Sequence, residues 1–193
     1  MRHGRLHSFL FADLVGFTAL AELHGDDAAA DAAIRFADAA ARLAKDHGAR
    51  VVKSLGDAVL IHAHDAAEAL RLGIRLHSDL DSGLPPVHAG AHTGRAVQRG
   101  GDWFGAAVNL AARVSDAARG GELLVTEAMV AAAGDVAGVE LDCLGPQAFK
   151  NVAAQTAVYS ARFAAASERF ENVRPLRPVP AVVTAPLPAT SPI

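Results

Sequence analysis

The order of apolar segments constrains the fold of this chain more than any other feature. Residues 6–12 form a short apolar and aromatic run, which predicts a buried strand, and a long Ala-rich helical segment over residues 26–47 follows it. Two β-rich runs then flank Leu55-Gly56-Asp57, which predicts a hairpin. A helical segment and a strand complete a β-α-β-β-α-β order, and more elements follow up to residue 163. Because strand pairs and helices occupy separate segments of the chain, this order predicts an α+β sandwich, with helices on one face of a mostly antiparallel sheet.

Within the long Ala-rich segment, the apolar residues recur at helical spacing. The spacing puts Ile34, Ala37, Ala41 and Ala44 in one register, and Gly48 stands at a helix-stop position. We therefore expect these four side chains to share one face of the helix.

The segment from Asp102 to Arg113 predicts the start of a second notable helix. One apolar stripe suits the core, and it comprises Ala107, Leu110, Ala111, Val114 and Ala118. Asn109 and Arg113 are four residues apart and lie roughly opposite that stripe. Their neighbours are the small or modest Ala106, Val108 and Ala112 instead of Lys and Glu, which favours a surface that meets another surface. The alternatives are a partly exposed helix with a chance Asn and Arg, and an Asp102 that only caps the helix.

Length, charge and cysteine content exclude several classes of protein. The chain has 193 residues, enough for one domain with a real core, and a net charge of −3 that argues against a large nucleic-acid footprint. Its one cysteine, Cys143, excludes an internal disulfide and fits a reducing compartment. No apolar run reaches the ~18 residues of a membrane span, and no signal region opens the chain. We therefore expect a cytoplasmic protein. The sequence does not exclude an upstream sensor or membrane domain.

The composition changes after the last expected strand. Residues 6–163 are predicted to form one domain, and residues 164–193 a Pro-rich tail that is extended or disordered. The alternative for the tail is a docking segment for a partner.

Two carboxylates are the first candidates for chemistry. Asp13 ends the first strand and Asp57 sits at the hairpin tip, so both would converge at one edge of the sheet. Such a pair suits Mg²⁺, which prefers oxygen ligands and keeps positions open for phosphate. Gly16-Phe17-Thr18 then opens a helix, with Thr18 as its expected cap, and free N–H groups at a helix start bind phosphate. The alternative is that both aspartates are turn residues.

Two lysines are weaker candidates. Lys53 shares the strand parity of Asp57 and would face a base or a phosphate, although an exposed strand lysine is commoner. Lys150 lies in Phe149-Lys150-Asn151-Val152 and has less support.

The sequence assigns no functional role to several histidines or to one glycine-rich run. His62 and His64 are explained by strand alternation, and Asp65 by a helix cap, while His88 and His92 lack partners at ligand spacing. The run from Gly100 to Phe104 resembles a diguanylate cyclase signature that belongs on a hairpin. A helix is expected there instead, so that resemblance is rejected.

Three motifs in register resemble the catalytic domain of class III adenylate and guanylate cyclases over about residues 6 to 163. They are Phe11-Ala12-Asp13-Leu14-Val15-Gly16-Phe17-Thr18, Lys53-Ser54-Leu55-Gly56-Asp57, and the segment from Asp102 to Arg113. The resemblance implies a ferredoxin-like α+β fold and a head-to-tail homodimer. Metal ligands would come from one protomer, and Asn109 and Arg113 from the other.

The resemblance also implies a role for each matching residue. Asp13 and Asp57, with the backbone of Leu14, would hold two Mg²⁺ or Mn²⁺ ions, and Gly16, Phe17 and Thr18 would meet the phosphates. Lys53 and Asp102 would read the adenine edge. Asn109 would orient the ribose, Arg113 would steady the transition-state phosphate, and Lys150 would bind the triphosphate.

The implied reaction is the conversion of ATP to 3′,5′-cyclic AMP and pyrophosphate. Guanylate cyclases of the family usually carry Glu and Cys where this chain has Lys53 and Asp102. In the family, the segment that corresponds to residues 94–102 forms a dimerisation arm, and here it is short. This predicts a weaker dimer. It also leaves open whether the substrate is ATP or GTP. A silent cyclase-like module that binds nucleotide or a regulatory partner is the rival from another class.

Overall fold

The computed structural model describes residues 5–80 and 83–164. Their sequence order is strand, two helices, hairpin, helix, strand, then a small hairpin, a helix, a strand, a short helix and two final strands. The strands are β1 (His7–Leu14), β2 (Arg50–Leu55), β3 (Ala58–Ala63), β4 (Val87–Gly94), β5 (Val97–Arg99), β6 (Asp102–Phe104), β7 (Leu123–Thr126), β8 (Val139–Gln147) and β9 (Thr156–Phe163). The helices are α1 (Phe17–His24), α2 (Asp26–Asp46), α3 (Ala66–Ser78), α4 (Ala106–Ala117) and α5 (Glu127–Ala133).

Seven of these strands form one sheet in the order β2-β3-β1-β4-β7-β9-β8, and β5 and β6 form a separate hairpin. The pairing of β4 with β7 is parallel, and the other pairings in the large sheet are antiparallel. The first half, with β1 between β3 and β4, is the βαββαβ arrangement that the sequence predicts. The α+β fold class is therefore confirmed.

The two faces of the sheet carry different helices. Leu10 and Ala12 of β1 belong to the main core with Phe36 of α2 and Leu72 of α3. Phe9 points to the opposite face, where it packs in a cluster with Ala107, Val108 and Ala111 of α4 and with Trp103 and Leu60. The prediction of helices on one face thus holds for α2, α3 and α5, while α4 lies on the other face.

The close approach of α4 to the sheet depends on one glycine. A Cβ added at Gly90 of β4 would lie 2.0 Å from the backbone nitrogen of Ser115. No side chain fits in that space, so the helix backbone rests directly on the strand. This contact fixes the height of α4 and of the residues it carries.

Three local predictions are wrong. Ile34 is 60% exposed, because the buried face of α2 is formed by Ala29, Ala32, Phe36, Ala40 and Ala44. Val108 is 7% exposed and belongs to the core, not to the surface around Asn109. Asp102 lies in β6, not in a helix, and α4 begins only at Ala106. A hairpin is therefore present where the sequence predicts the start of a helix, with Gly100 and Gly101 between its strands.

The predicted Pro-rich tail lies outside the described residues, except for Ala164. Over the described residues, no helix combines the length and the apolar character that crossing a membrane requires.

Candidate active site

The strand pairing brings Asp13 and Asp57 to one edge of the sheet. Strand β1 continues through Asp13, which pairs with Ala58 at the start of β3. Asp57 is in the turn between β2 and β3, and its carbonyl accepts a hydrogen bond from the Leu14 nitrogen at 3.2 Å. The turn is possible because Gly56 adopts a φ of 68°.

The electrostatics of this edge favour a cation. Burial raises the pKa of Asp57, and the negative charge of Asp13 raises it further. The Asp13 Oδ1 atom is buried and has no hydrogen-bond partner among the described residues. An orphaned carboxylate oxygen beside a second carboxylate fits a hard divalent ion such as Mg²⁺ or Mn²⁺.

His88 is a residue of this edge that sequence reasoning missed. It lies opposite Asp13 on β4, and its Nε2 is 3.5 Å from Asp13 Oδ2. Its Nδ1 lies 2.9 Å from the Ser115 carbonyl oxygen of α4. The neighbouring Asp13 carboxylate raises the pKa of His88. Only the antiparallel register of β1 and β4 reveals this neighbour, and no local spacing signals it.

Helix α1 begins beside the two carboxylates. Gly16 has a φ of 75° and is the N-cap, with no side-chain cap hydrogen bond, so the expectation that Thr18 caps this helix is wrong. Phe17 packs against the main core, while Gly16 and Thr18 are exposed. The first N–H groups of α1 are therefore not capped by a side chain, as a phosphate-binding helix start requires.

Lys53 and Asp102 form an ion pair across two sheets. The Lys53 Nζ donates to Asp102 Oδ2 at 2.6 Å, and Asp102 also accepts from the Trp103 nitrogen at 2.7 Å. The hydrogen bond from Lys53 is the main cause that lowers the pKa of Asp102. Both side chains are about a third exposed, so they remain accessible to a ligand.

Asn109, Arg113 and Lys150 line a separate groove of about 780 Å³. Asn109 and Arg113 are exposed on α4, as the sequence predicts, and Lys150 follows the buried Phe149. Arg95 adds a cationic side chain to the lining. Arg113 contacts Asp116 on its own helix at 3.2 Å, an exposed pair that holds it only weakly.

The structure thus divides the predicted site residues into two groups. None of Asp13, Asp57, Lys53 and Asp102 lines the groove that contains Asn109 and Arg113. Two different parts of β4 adjoin these groups. His88 pairs with Asp13 of β1, whereas His92 and Gly94, further along β4, line the groove.

Comparison with known proteins points to one family. No family model matches the chain. It is 36% identical over 160 residues to a pH-sensitive adenylate cyclase of Mycobacterium tuberculosis, covering 79% of this chain and 39% of that protein. It is 37% identical over 120 residues to an adenylate cyclase of Streptomyces coelicolor, covering 61% of this chain and 32% of that protein. The chain therefore spans less than half the length of these relatives.

Among solved structures, the adenylyl cyclase CyaB of P. aeruginosa superposes with a TM-score of 0.70. The match has 22% sequence identity and covers 81% of this chain and 93% of that one. At this identity the likeness concerns the fold. The fold is therefore the one found in class III adenylyl and guanylyl cyclase domains, and the matching sequence relatives are named adenylate cyclases.

Proposed function

We propose that this domain is an adenylate cyclase that converts ATP to 3′,5′-cyclic AMP and pyrophosphate in a head-to-tail homodimer. The observation that carries the proposal is the division of the site into two groups on one chain. Asp13 and Asp57 stand at the sheet edge, and Asn109 and Arg113 stand in a separate groove. A symmetric dimer unites each group with the complementary group of the second protomer and creates two equivalent sites.

The residues of the sheet edge would hold the metal ions. Asp13, Asp57 and the backbone of Leu14 are the proposed ligands, and two Mg²⁺ or Mn²⁺ ions at this edge would activate the 3′-hydroxyl and neutralise phosphate charge. The exposed start of α1, from Gly16 to Thr18, offers N–H groups to the phosphates. The orphaned oxygen of Asp13 supports this assignment.

The groove residues would act on the rest of the nucleotide. The Asn109 amide orients the ribose, so that the reacting oxygen meets the α-phosphate. The Arg113 guanidinium stabilises charge that develops on the phosphoryl oxygens, an effect worth about 3 kcal/mol for a preorganised donor. Lys150 and Arg95, which also line the groove, add positive charge for the triphosphate.

The ion pair between Lys53 and Asp102 would select the base. Adenine offers a ring-nitrogen acceptor and an amino donor. The Lys53 ammonium has three donors and can serve the ring nitrogen while it still contacts Asp102. The Asp102 carboxylate accepts from the amino group. Guanine reverses part of this pattern, so ATP should be the better substrate.

A mixing experiment tests the shared site. Asp13→Ala and Arg113→Ala should each be inactive, since each homodimer lacks one group in both sites. A mixed heterodimer has one site with both lesions and one intact site. Cyclic AMP production should therefore return to about half of the parent's value per heterodimer, and it should rise with protein concentration as the dimer forms.

Mixing Asp13→Ala with Asp57→Ala is the matched control. Both lesions belong to the same group, so every site of that heterodimer is damaged and no activity should return. If the first mixture stays as inactive as the control while a heterodimer is present, the shared-site model is wrong. If the parent protein converts neither ATP nor GTP with Mg²⁺ or Mn²⁺, the domain is a silent nucleotide-binding module instead.

A further inference from the structure

Three histidines meet at the opposite end of β1 from Asp13. His7 begins β1, His62 lies near the end of β3, and His64 follows that strand. One ligand nitrogen from each lies within 4.8 Å of the others, and no other such group of three occurs among residues 5–80 and 83–164. Six residues of strand, about 20 Å, separate His7 from Asp13. The cluster is therefore distinct from the proposed Mg²⁺ site.

The ligand nitrogens of the cluster lie near, but not at, the spacing of a tetrahedral site. The His7 Nδ1 and His62 Nε2 atoms are 3.0 Å apart. Two nitrogens bound to one Zn²⁺ at 2.0–2.1 Å and at a tetrahedral angle are about 3.3 Å apart. The rings of His62 and His64 are also neighbours, with 4.7 Å between their centroids. His64 is exposed, so its side chain can close the remaining distance.

The chemistry of the three imidazoles suits a transition metal. Burial lowers the pKa of His62 to about 4 and also lowers the pKa of His7. Both rings are therefore neutral at neutral pH, which is the form that binds metals. Two metal bonds would replace the hydrogen bond between them: the donor ring would move its proton to its other nitrogen, where the acceptor ring already carries its own. Imidazole is a ligand for Zn²⁺, Ni²⁺ and Cu²⁺, not for Mg²⁺.

We propose that His7, His62 and His64 bind one Zn²⁺-class ion, with the fourth position open to water. Arg5 and Arg50 contribute positive charge near this cluster, which opposes a cation. The site should accordingly be reversible, with exchange against chelators, and not a permanent structural centre. An anionic fourth ligand would offset this charge.

Trp103 connects the cluster to the small hairpin. Its ring stacks on His62 at 4.4 Å between centroids and lies 4.3 Å from His7. Its buried Nε1 has no hydrogen-bond partner among the described residues. Trp103 adjoins Asp102, so an ion at the cluster would hold β6 in place. If the proposed function holds, this ion would therefore influence base selection.

Metal titration of untagged protein tests the proposal, in excess Mg²⁺ and in a Cys143→Ser background that removes the exposed thiol. Calorimetry should give one Zn²⁺ per chain. Ni²⁺ should quench the fluorescence of Trp103, the one tryptophan of the chain, and EDTA should restore it. His64→Ala removes an exposed ligand without disturbing the core, and it should weaken Zn²⁺ binding by about tenfold to a hundredfold.

Two control variants complete the design. His24→Ala removes an exposed histidine on α1, and Asp13→Ala removes the proposed Mg²⁺ ligand. Both should retain Zn²⁺ affinity. Equal affinity of the His64→Ala variant and its parent would overturn the proposal, and so would a loss in the Asp13→Ala variant. Because binding is measured without substrate, its failure is separate from a failure of the cyclase activity.

Discussion

Acid should destabilise this fold through His92, which is partly buried on β4. Its Nδ1 is 2.8 Å from the Thr126 hydroxyl, and burial lowers its pKa to about 4 from an ordinary value of 6.5. The folded state therefore holds a neutral ring at a pH where the unfolded chain is protonated. The contribution to stability is full above pH 6.5, and it is lost as pH falls from 6.5 towards 4.

The magnitude follows from these two values. A pKa difference of about 2.5 corresponds to about 3.4 kcal/mol, at 1.36 kcal/mol per unit. Between pH 7 and pH 4.5 the linkage relation gives a loss of about 2.4 kcal/mol. The ring is not fully buried, and solvent screening reduces the effect, so we expect about 1–2 kcal/mol.

The comparison of the parent protein with a His92→Gln variant isolates this contribution. Glutamine does not titrate here, and its carbonyl oxygen can still accept from Thr126. Urea unfolding, followed by Trp103 fluorescence and circular dichroism in EDTA, gives the free energy of unfolding at each pH. The variant should lose about 1–2 kcal/mol less than the parent between pH 7 and pH 4.5. His24→Gln, which removes an exposed histidine, is the control and should follow the parent. Parallel curves for the parent and the His92→Gln variant would refute the reasoning.

Three further predictions concern the site and its support. Asp13→Ala should lower cyclic nucleotide formation by orders of magnitude while circular dichroism stays unchanged; near-normal turnover at saturating metal would exclude Asp13 as a ligand. Lys53→Glu combined with Asp102→Cys should erode the preference for ATP in a competition assay with GTP. Equal use of both by the parent would remove this pair from base selection. Gly90→Ala places a methyl group 2.0 Å from the Ser115 nitrogen, and it should cost about 1–3 kcal/mol or more in chemical denaturation. Unchanged stability would contradict the direct contact of α4 with β4.

Local patterns predicted much of this architecture. The order of strands and helices was legible because each element has its own period, and the turn at Gly56 placed Asp57 at the hairpin tip. The spacing also predicts the exposed positions of Asn109 and Arg113 on α4, since an apolar stripe lies opposite them. Their catalytic roles stay a prediction.

Elsewhere the sequence lacked the necessary signal. Alanine is so frequent in α2 that several helical registers look alike in the sequence, which is why the spacing predicts the wrong face for Ile34. Strands β5 and β6 have three residues each, too few to show a period. The contacts of Asp13 with His88, and of His7 with His62, depend on pairing between strands distant in sequence. No window of neighbouring residues contains that information.

The ion pair between Lys53 and Asp102 joins two sheets that share no backbone ladder. Lys53 belongs to the edge strand β2, and Asp102 to the two-stranded hairpin. Small units held by few contacts open at lower free energy than the domain as a whole. If this pair reads the base, the hairpin that carries Asp102 would open at a lower temperature than the domain unfolds. The preference for one base would then be lost at that lower temperature. On warming, the enzyme would lose fidelity before it loses its fold.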